Sequence, residues 1–197
     1  MRKRIALVFV FLFLLAVCAP AFTEAAKTQT PAINDLASVL SMTRADVTAL
    51  IGQGEALPFA DISDYHESAF ELGGFPYVYS TYGVMVFYDA VPQADGAVPY
   101  GCVESPGDRV LGIMLQADSP SCNVAGFQAG LSAEAISALK KEFHTETEHV
   151  TGMYEYYRIR ADIGGVQYVW VSDQADMSSS ALYASLMTDA VEKTKNK

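Results

Sequence analysis

Two histidines and two glutamates lie close together in the segment FHTETEHV. They are His144, Glu146, Glu148 and His149, and imidazole and carboxylate groups are ligands that zinc accepts. The segment follows a predicted helix and precedes a predicted strand, where alternation would point His144 and Glu146 away from His149. We therefore expect a solvated polar connector and no metal or other cofactor.

Other groups that could catalyse a reaction are sparse. The chain has three histidines, and His66 lies in an acidic segment with Asp61, Asp64 and Glu67. The sequence contains no GxSxG, no HExxH, no glycine-rich phosphate loop and no paired CxxC. These are motifs that indicate particular catalytic, phosphate-binding or metal-binding sites. We expect the protein not to be an enzyme, with a small secreted hydrolase built on dispersed carboxylates as an alternative.

The N-terminus predicts export. Three basic residues precede an apolar run over residues 5–19, which is typical of a signal peptide and too short for a membrane-spanning helix. We place the signal peptide at residues 1–21 and a short linker at residues 22–29. A lipoprotein anchored through Cys18 is the alternative, because residues 15–18 are similar to a lipoprotein box.

Signal cleavage would leave an even pair of cysteines, Cys102 and Cys122. Disulfides form and persist in extracytoplasmic compartments, so we expect these two residues to be bridged. The alternative is a catalytic cysteine.

Charge excludes some partners. The full chain carries a formal net charge of -10, and cleavage after residue 21 would make it -13 because the leader holds three basic residues and no acidic one. Such a surface repels nucleic acids and anionic lipids. It favours another exported protein with a basic surface as the partner.

The chain contains two similar halves. Residues 41–52 align with residues 130–141 at a shift of 89 positions. Apolar residues lie three or four positions apart in both segments, which predicts two short amphipathic helices. Thr43 and Ser132 are placed to cap their first turns.

Tyrosine-rich segments follow each helix. The segments are residues 77–89 and 154–173, and a shift of 84 positions sets residues 85–89 on residues 169–173. Their tyrosine and valine content predicts antiparallel strands. Residues 109–118 predict a further strand in the first half. Residues 180–189 predict one in the second half, with a terminal helix as the alternative.

These elements predict an α+β fold made of two pseudo-repeats. Each repeat is a short helical layer packed on an antiparallel β-sheet. The first repeat covers residues 30–118 and the second residues 119–190, and residues 191–197 form a polar C-terminal tail.

The start of the first helix resembles that of the β-lactamase inhibitory protein family. The similarity to the family's Met-Thr-Arg-x-x-Val start and Gly-Gln-Gly stretch falls on Met42, Thr43, Arg44, Val47, Gly52, Gln53 and Gly54. Small outer-membrane assembly lipoproteins share this helix start. The resemblance implies a tandem repeat of helices on a sheet whose other face is open, curved and aromatic.

Aromatic and arginine residues in the second half form the candidate binding row. Large side chains with polar tips and arginines are typical of interface hot spots. The row comprises Tyr154, Tyr156, Arg158, Arg160, Tyr168 and Trp170.

The position of Tyr168 and Trp170 depends on the hairpin register. A two-residue loop at residues 163–164 would turn both towards the core. A three-residue loop that uses Gly164 and Gly165 would place them beside the arginines on the open face. The repeat alignment favours the second register, because it equates Val169 and Val171 with Met85 and Phe87 in a core row.

Together these features predict an exported, non-enzymatic protein-binding module of an inhibitor type that uses an open aromatic sheet face. An envelope lipoprotein with a structural or assembly role is the alternative.

Overall fold

The computed structural model describes five stretches of the chain. They are residues 34–57, 74–92, 102–119, 122–152 and 155–187. Several predictions lie outside these residues, namely the signal peptide 1–21 with Cys18, the linker 22–29, the acidic segment around His66, Tyr154 and the tail 191–197.

Both predicted helices are confirmed. The first, α1 (Arg44–Ile51), begins after Thr43, whose hydroxyl accepts from the Asp46 backbone N–H while the Asp46 carboxylate accepts from the Thr43 backbone N–H. The second, α2 (Ala133–Glu142), begins after Ser132, which caps the Ala135 backbone N–H. These bonds satisfy N–H groups that a first helical turn leaves without a partner.

A short 3-10 helix (Ala37–Ser41) precedes α1 and adds buried residues to the same layer. Within the described ranges, no helix is both long enough and apolar enough to cross a bilayer.

The described strands form an antiparallel eight-stranded sheet and a two-stranded ribbon. The sheet strands are β1 (Glu55–Ala56), β2 (Phe75–Tyr79), β3 (Val84–Tyr88), β6 (Val110–Leu115), β7 (Glu148–Thr151), β8 (Glu155–Ile163), β9 (Val166–Ser172) and β10 (Ala181–Leu186). Their order is β1-β2-β3-β6-β10-β9-β8-β7. The ribbon pairs β4 (Val91–Pro92) with β5 (Cys102–Val103). The fold is therefore α+β, as expected, and mostly sheet.

The tyrosine-rich segments are strands, as predicted. Residues 77–89 contain part of β2 and all of β3, which are joined by a turn, and residues 154–173 contain β8 and β9. Residues 180–189 contain β10, so the strand interpretation is confirmed over the terminal helix.

The β8–β9 hairpin has a register that neither sequence alternative described. Gly164 and Gly165 form a two-residue turn with φ of 59° and 82°, a geometry that favours glycine in tight hairpins. Ile163 pairs with Val166, so Trp170 lies opposite Ile159. The favoured three-residue loop was wrong.

The larger hydrophobic core lies between the helices and one face of the sheet. Val47 of α1 and Leu139 of α2 belong to it, together with Ile113, Ile159 and Trp170 of the sheet. We call this side of the sheet the helix face.

The opposite face of the sheet is also buried. Its cluster comprises Met85, Phe87, Met114, Tyr156, Val169, Val171, Ala181 and Tyr183, none of them more than 9% exposed. Val169 and Val171 do share a row with Met85 and Phe87, as the repeat alignment predicted. However, the prediction of an open aromatic face was wrong, because residues on both sides of this sheet are shielded from water.

Candidate functional site

The predicted binding row does not form one exposed surface. Tyr168 and Trp170 lie on the helix face and are 2% and 0% exposed, and the Trp170 Nε1 donates to the Gln128 carbonyl at 2.9 Å. Placing these two residues in an exposed site was therefore wrong. The two-residue turn pairs Trp170 with Ile159 and Tyr168 with Ala161, and all four residues belong to the core on the helix face.

Tyr154 is outside the described residues, and the other three residues of the row lie on the opposite face. Arg158 pairs with Val171 and Arg160 with Val169. Both arginines therefore lie on the face of the sheet opposite the helix face. Tyr156 lies there too but is buried. The predicted alternation of Tyr156 with the arginines is thus present, whereas its exposure is not.

Exposed and half-buried polar groups instead collect where β7 and β8 form one edge of the sheet. We call this the edge surface and define it by Glu148, His149, Glu155, Tyr157 and Arg158. The His149 ring stacks on Tyr157 with centroids 4.7 Å apart and planes at 13°. The His149 Nε2 lies 2.6 Å from the Glu155 Oε1. On the other side of the hairpin, the Arg158 Nε donates to the Glu148 Oε2 at 2.7 Å.

Carboxylates protrude further than cations at the edge surface. The Glu148 and Glu155 side chains are 54% and 66% exposed, whereas that of Arg158 is 18% exposed. The hydrogen bond from Arg158 holds the pKa of Glu148 below its ordinary value. Glu148 is therefore ionised at neutral pH, and the outermost charges on this surface are negative.

The FHTETEHV residues are held apart by separate partners. Glu146 pairs with Lys140 at 3.3 Å, Glu148 with Arg158 and His149 with Glu155. His144 ends the turn after α2 with φ of 51°. In the described part of the chain, no three histidine, cysteine or acidic residues are grouped closely enough to hold a metal ion.

Away from the edge surface, a buried arginine forms a polar cluster that the sequence analysis did not identify. The Arg44 Cζ lies 4.1 Å from the ring centroids of both Tyr77 and Tyr88. Its Nε donates to the Asp108 Oδ2 at 3.0 Å, and both side chains are at least nine-tenths buried. Two π faces and one carboxylate thus stabilise a charge that would otherwise be poorly solvated.

Tyrosine hydroxyls extend this cluster. The Tyr79 and Tyr88 hydroxyls are 2.6 Å apart. The Tyr77 hydroxyl donates to the Glu104 Oε1 at 2.7 Å. Burial, as the largest cause, raises the pKa values of Tyr77, Tyr79 and Tyr88 above their ordinary value. These phenols are therefore neutral hydrogen-bonding groups at physiological pH.

The predicted disulfide between Cys102 and Cys122 is not formed in the structure. The Cys102 Sγ lies 3.2 Å from the Tyr77 hydroxyl, and this thiol must be the donor because the phenol proton is used on Glu104. The Cys122 Sγ donates instead to the Tyr82 carbonyl at 3.5 Å. Each thiol is thus held by a different part of the β2–β3 hairpin.

We expect stability to decline steeply at alkaline pH because of the buried tyrosines. Tyrosines of the unfolded chain ionise near pH ~10, whereas Tyr77, Tyr79 and Tyr88 keep their protons to higher pH in the folded state. The unfolded state then binds fewer protons, so the free energy of unfolding falls as pH rises above about 10. Urea denaturation followed by circular dichroism at neutral and alkaline pH measures this slope.

The control for this prediction is Tyr88→Phe, which removes one of the titrating phenols. It should lower the stability at neutral pH but make the alkaline decline shallower. An equal slope in the two proteins would contradict the assignment to the tyrosine cluster.

The chain matches no protein-family model, and no curated protein and no solved structure is significantly similar to it.

Proposed function

We propose that the chain is an exported, non-enzymatic protein-binding module and that its contact surface is the edge surface. The observation that carries this proposal is the contrast in burial between two aromatic groups. Tyr168 and Trp170 are buried in the core, whereas the His149 side chain is 44% exposed and stacks on the half-buried Tyr157 beside exposed carboxylates at the end of the sheet. Aromatic groups flanked by charges are typical of contact surfaces.

The polar contacts of the edge surface support a role in recognition. Glu148 and Glu155 are each fixed in position by one contact, so little side-chain entropy is lost when a partner binds. Their exposed negative charge is part of a formal net charge of -10. A basic partner surface would associate faster at low salt than at high salt.

The proposal includes the tandem-repeat organisation and the resemblance to the β-lactamase inhibitory protein family. The strand order supports it, because residues 30–118 contribute β1, β2, β3 and β6 to one half of the sheet while residues 119–190 contribute β7 to β10 to the other. Each half contains one capped helix.

Charge reversal at the edge surface tests the function. We expect Glu155→Lys to weaken binding to a basic exported partner by about tenfold or more, because it replaces an attraction by a repulsion. The partner would first be isolated from extracytoplasmic proteins of the source cells with the immobilised chain lacking residues 1–21. Its affinity for the purified chain would then be measured by surface plasmon resonance at two salt concentrations.

Asp89→Lys is the matched control. The Asp89 side chain is 54% exposed and lies in the ion pair with Arg109, so the variant introduces the same charge change away from β7 and β8. Equal losses of affinity in the two variants would show that net charge, and not the edge surface, governs binding. An unchanged affinity of Glu155→Lys would refute the assignment of the site.

A further inference from the structure

The outer side of β7 is an open strand edge. Among the described residues β7 ends the sheet and pairs only with β8. Glu148, His149 and Thr151 are exposed, and Val150 is half-buried. A strand in this position offers backbone N–H and C=O groups to an additional strand.

The hairpin register identifies which of these backbone groups point outwards. In a two-residue hairpin the closing pair is hydrogen-bonded, so Ile163 directs its backbone groups towards Val166 of β9. Alternation along β8 then directs the even-numbered residues away from β9. In agreement, the Arg160 carbonyl accepts a hydrogen bond from the Thr145 Oγ1 on that side, at 2.8 Å.

The same alternation applies to β7. Glu148 lies opposite Arg158 and Val150 opposite Tyr156, so these are the hydrogen-bonded pairs of the β7–β8 ladder. The backbone N–H and C=O groups of His149 and Thr151 consequently point away from the sheet.

We propose that the partner contributes an extended basic segment that adds to β7 as a further strand. This inference rests on the proposed function, since it specifies how the edge surface engages its partner. Hydrogen bonds to His149 and Thr151 would supply the backbone contacts, and side chains on the two faces would supply the selectivity.

The faces of the hairpin determine which side chains the partner needs. Glu148 and Val150 lie on one face, so a basic residue beside Glu148 and an apolar residue two positions away would be complemented together. The exposed carboxylate of Glu148 extends past Arg158, as their exposed fractions of 54% and 18% show. A segment with acidic residues at this position would be repelled.

A synthetic peptide tests this mode of binding. The probe is fluorescein-labelled Lys-Thr-Val-Thr-Lys-Thr-Val, which places lysine and valine alternately on one side of a strand. Binding would be measured by fluorescence anisotropy. We expect Thr151→Pro to weaken binding by about tenfold or more because proline removes an outward N–H, and Thr151→Ala to change it by no more than about twofold.

Peptide N-methylation provides a second measurement that does not depend on the folding of a variant. Methylating the amides of the lysines and valines, or instead those of the threonines, removes alternate donors. In strand addition only one of the two sets faces β7, so one methylated peptide should bind and the other should not. Strand addition would be overturned if both methylated peptides bound equally well. It would also be overturned if Thr151→Pro and Thr151→Ala, both folded, bound the peptide equally well.

The two proposals can fail separately. If Glu155→Lys weakens binding of the isolated partner but Thr151→Pro does not, the edge surface is the binding site and strand addition is wrong. If neither variant affects binding of that partner, the proposed function itself fails, and strand addition fails with it.

Discussion

Trp170→Ala is expected to lower the free energy of unfolding by about 3–5 kcal/mol, because removing a fully buried indole leaves a cavity that the surroundings fill only in part. Trp170 is 0% exposed and contacts Phe127 and Tyr168, with ring centroids 5.8 Å and 6.2 Å away. The substitution also leaves the Gln128 carbonyl without its indole donor. Chemical denaturation followed by circular dichroism measures the loss.

Trp170→Phe is the control for this loss. It retains most of the apolar surface and should be less destabilising than alanine. Since Trp170 is the single tryptophan of the chain, intrinsic fluorescence gives a second readout, and we expect blue-shifted emission with little quenching by iodide. Red-shifted, readily quenched emission together with a small effect of Trp170→Ala would contradict the buried position.

Asp108→Asn should also destabilise the fold strongly, by about 3–5 kcal/mol, because it leaves the buried guanidinium of Arg44 without a counter-charge. The Asp108 carboxylate accepts from the Arg44 Nε at 3.0 Å and from the Ser105 backbone N–H at 2.9 Å. Asparagine has nearly the same size, so the change isolates the charge. Equilibrium denaturation of the variant measures the effect.

A double-mutant cycle separates the ion pair from the rest of the cluster. Arg44→Met removes the charge and keeps an apolar side chain between Tyr77 and Tyr88. Combined with Asp108→Asn, it should cost less than the sum of the two single changes, because no charge is then left unpaired. Additive losses, or a loss below about 1 kcal/mol for Asp108→Asn, would show that Arg44 is compensated by other groups.

Local signals predicted the elements well. Thr43 and Ser132 each stand where an apolar stripe of helical period begins, and both act as caps. Val169 and Val171 alternate with Tyr168 and Trp170 along a strand, and the structure places the two pairs on opposite faces of the sheet. Such features depend on neighbours a few residues away, so one sequence is enough to identify them.

Exposure could not be predicted in the same way. Alternation assigns Tyr168 and Trp170 to one face of the sheet and Tyr156 to the other, but it does not say which face meets water. We assumed that one face was open, whereas both are buried. The hairpin register added a second error, because the pattern is compatible both with the favoured three-residue loop and with the two-residue turn that Gly164 and Gly165 form.

The Arg44 cluster was missed because its contacts are distant in sequence. Arg44 contacts Asp108 and two tyrosines from separate strands. The sequence around residue 44 does not indicate which distant residues these partners are. The helix-start motif did include this arginine. Arg44 lies one residue after the cap at Thr43 on an otherwise amphipathic helix. This position is the local signal that could have indicated a buried charge in need of a partner.

The position of β10 has a consequence for the order in which the sheet can be completed. β10 lies in the middle of the sheet between β6 and β9, although it is the last of the described strands along the chain. The edge of β6 that pairs with Leu182, Tyr183 and Ala184 therefore stays uncovered until this last described strand joins the sheet. Until then the folding chain presents an apolar strand edge, which is the kind of surface that chaperones bind and that associates with other incompletely folded chains.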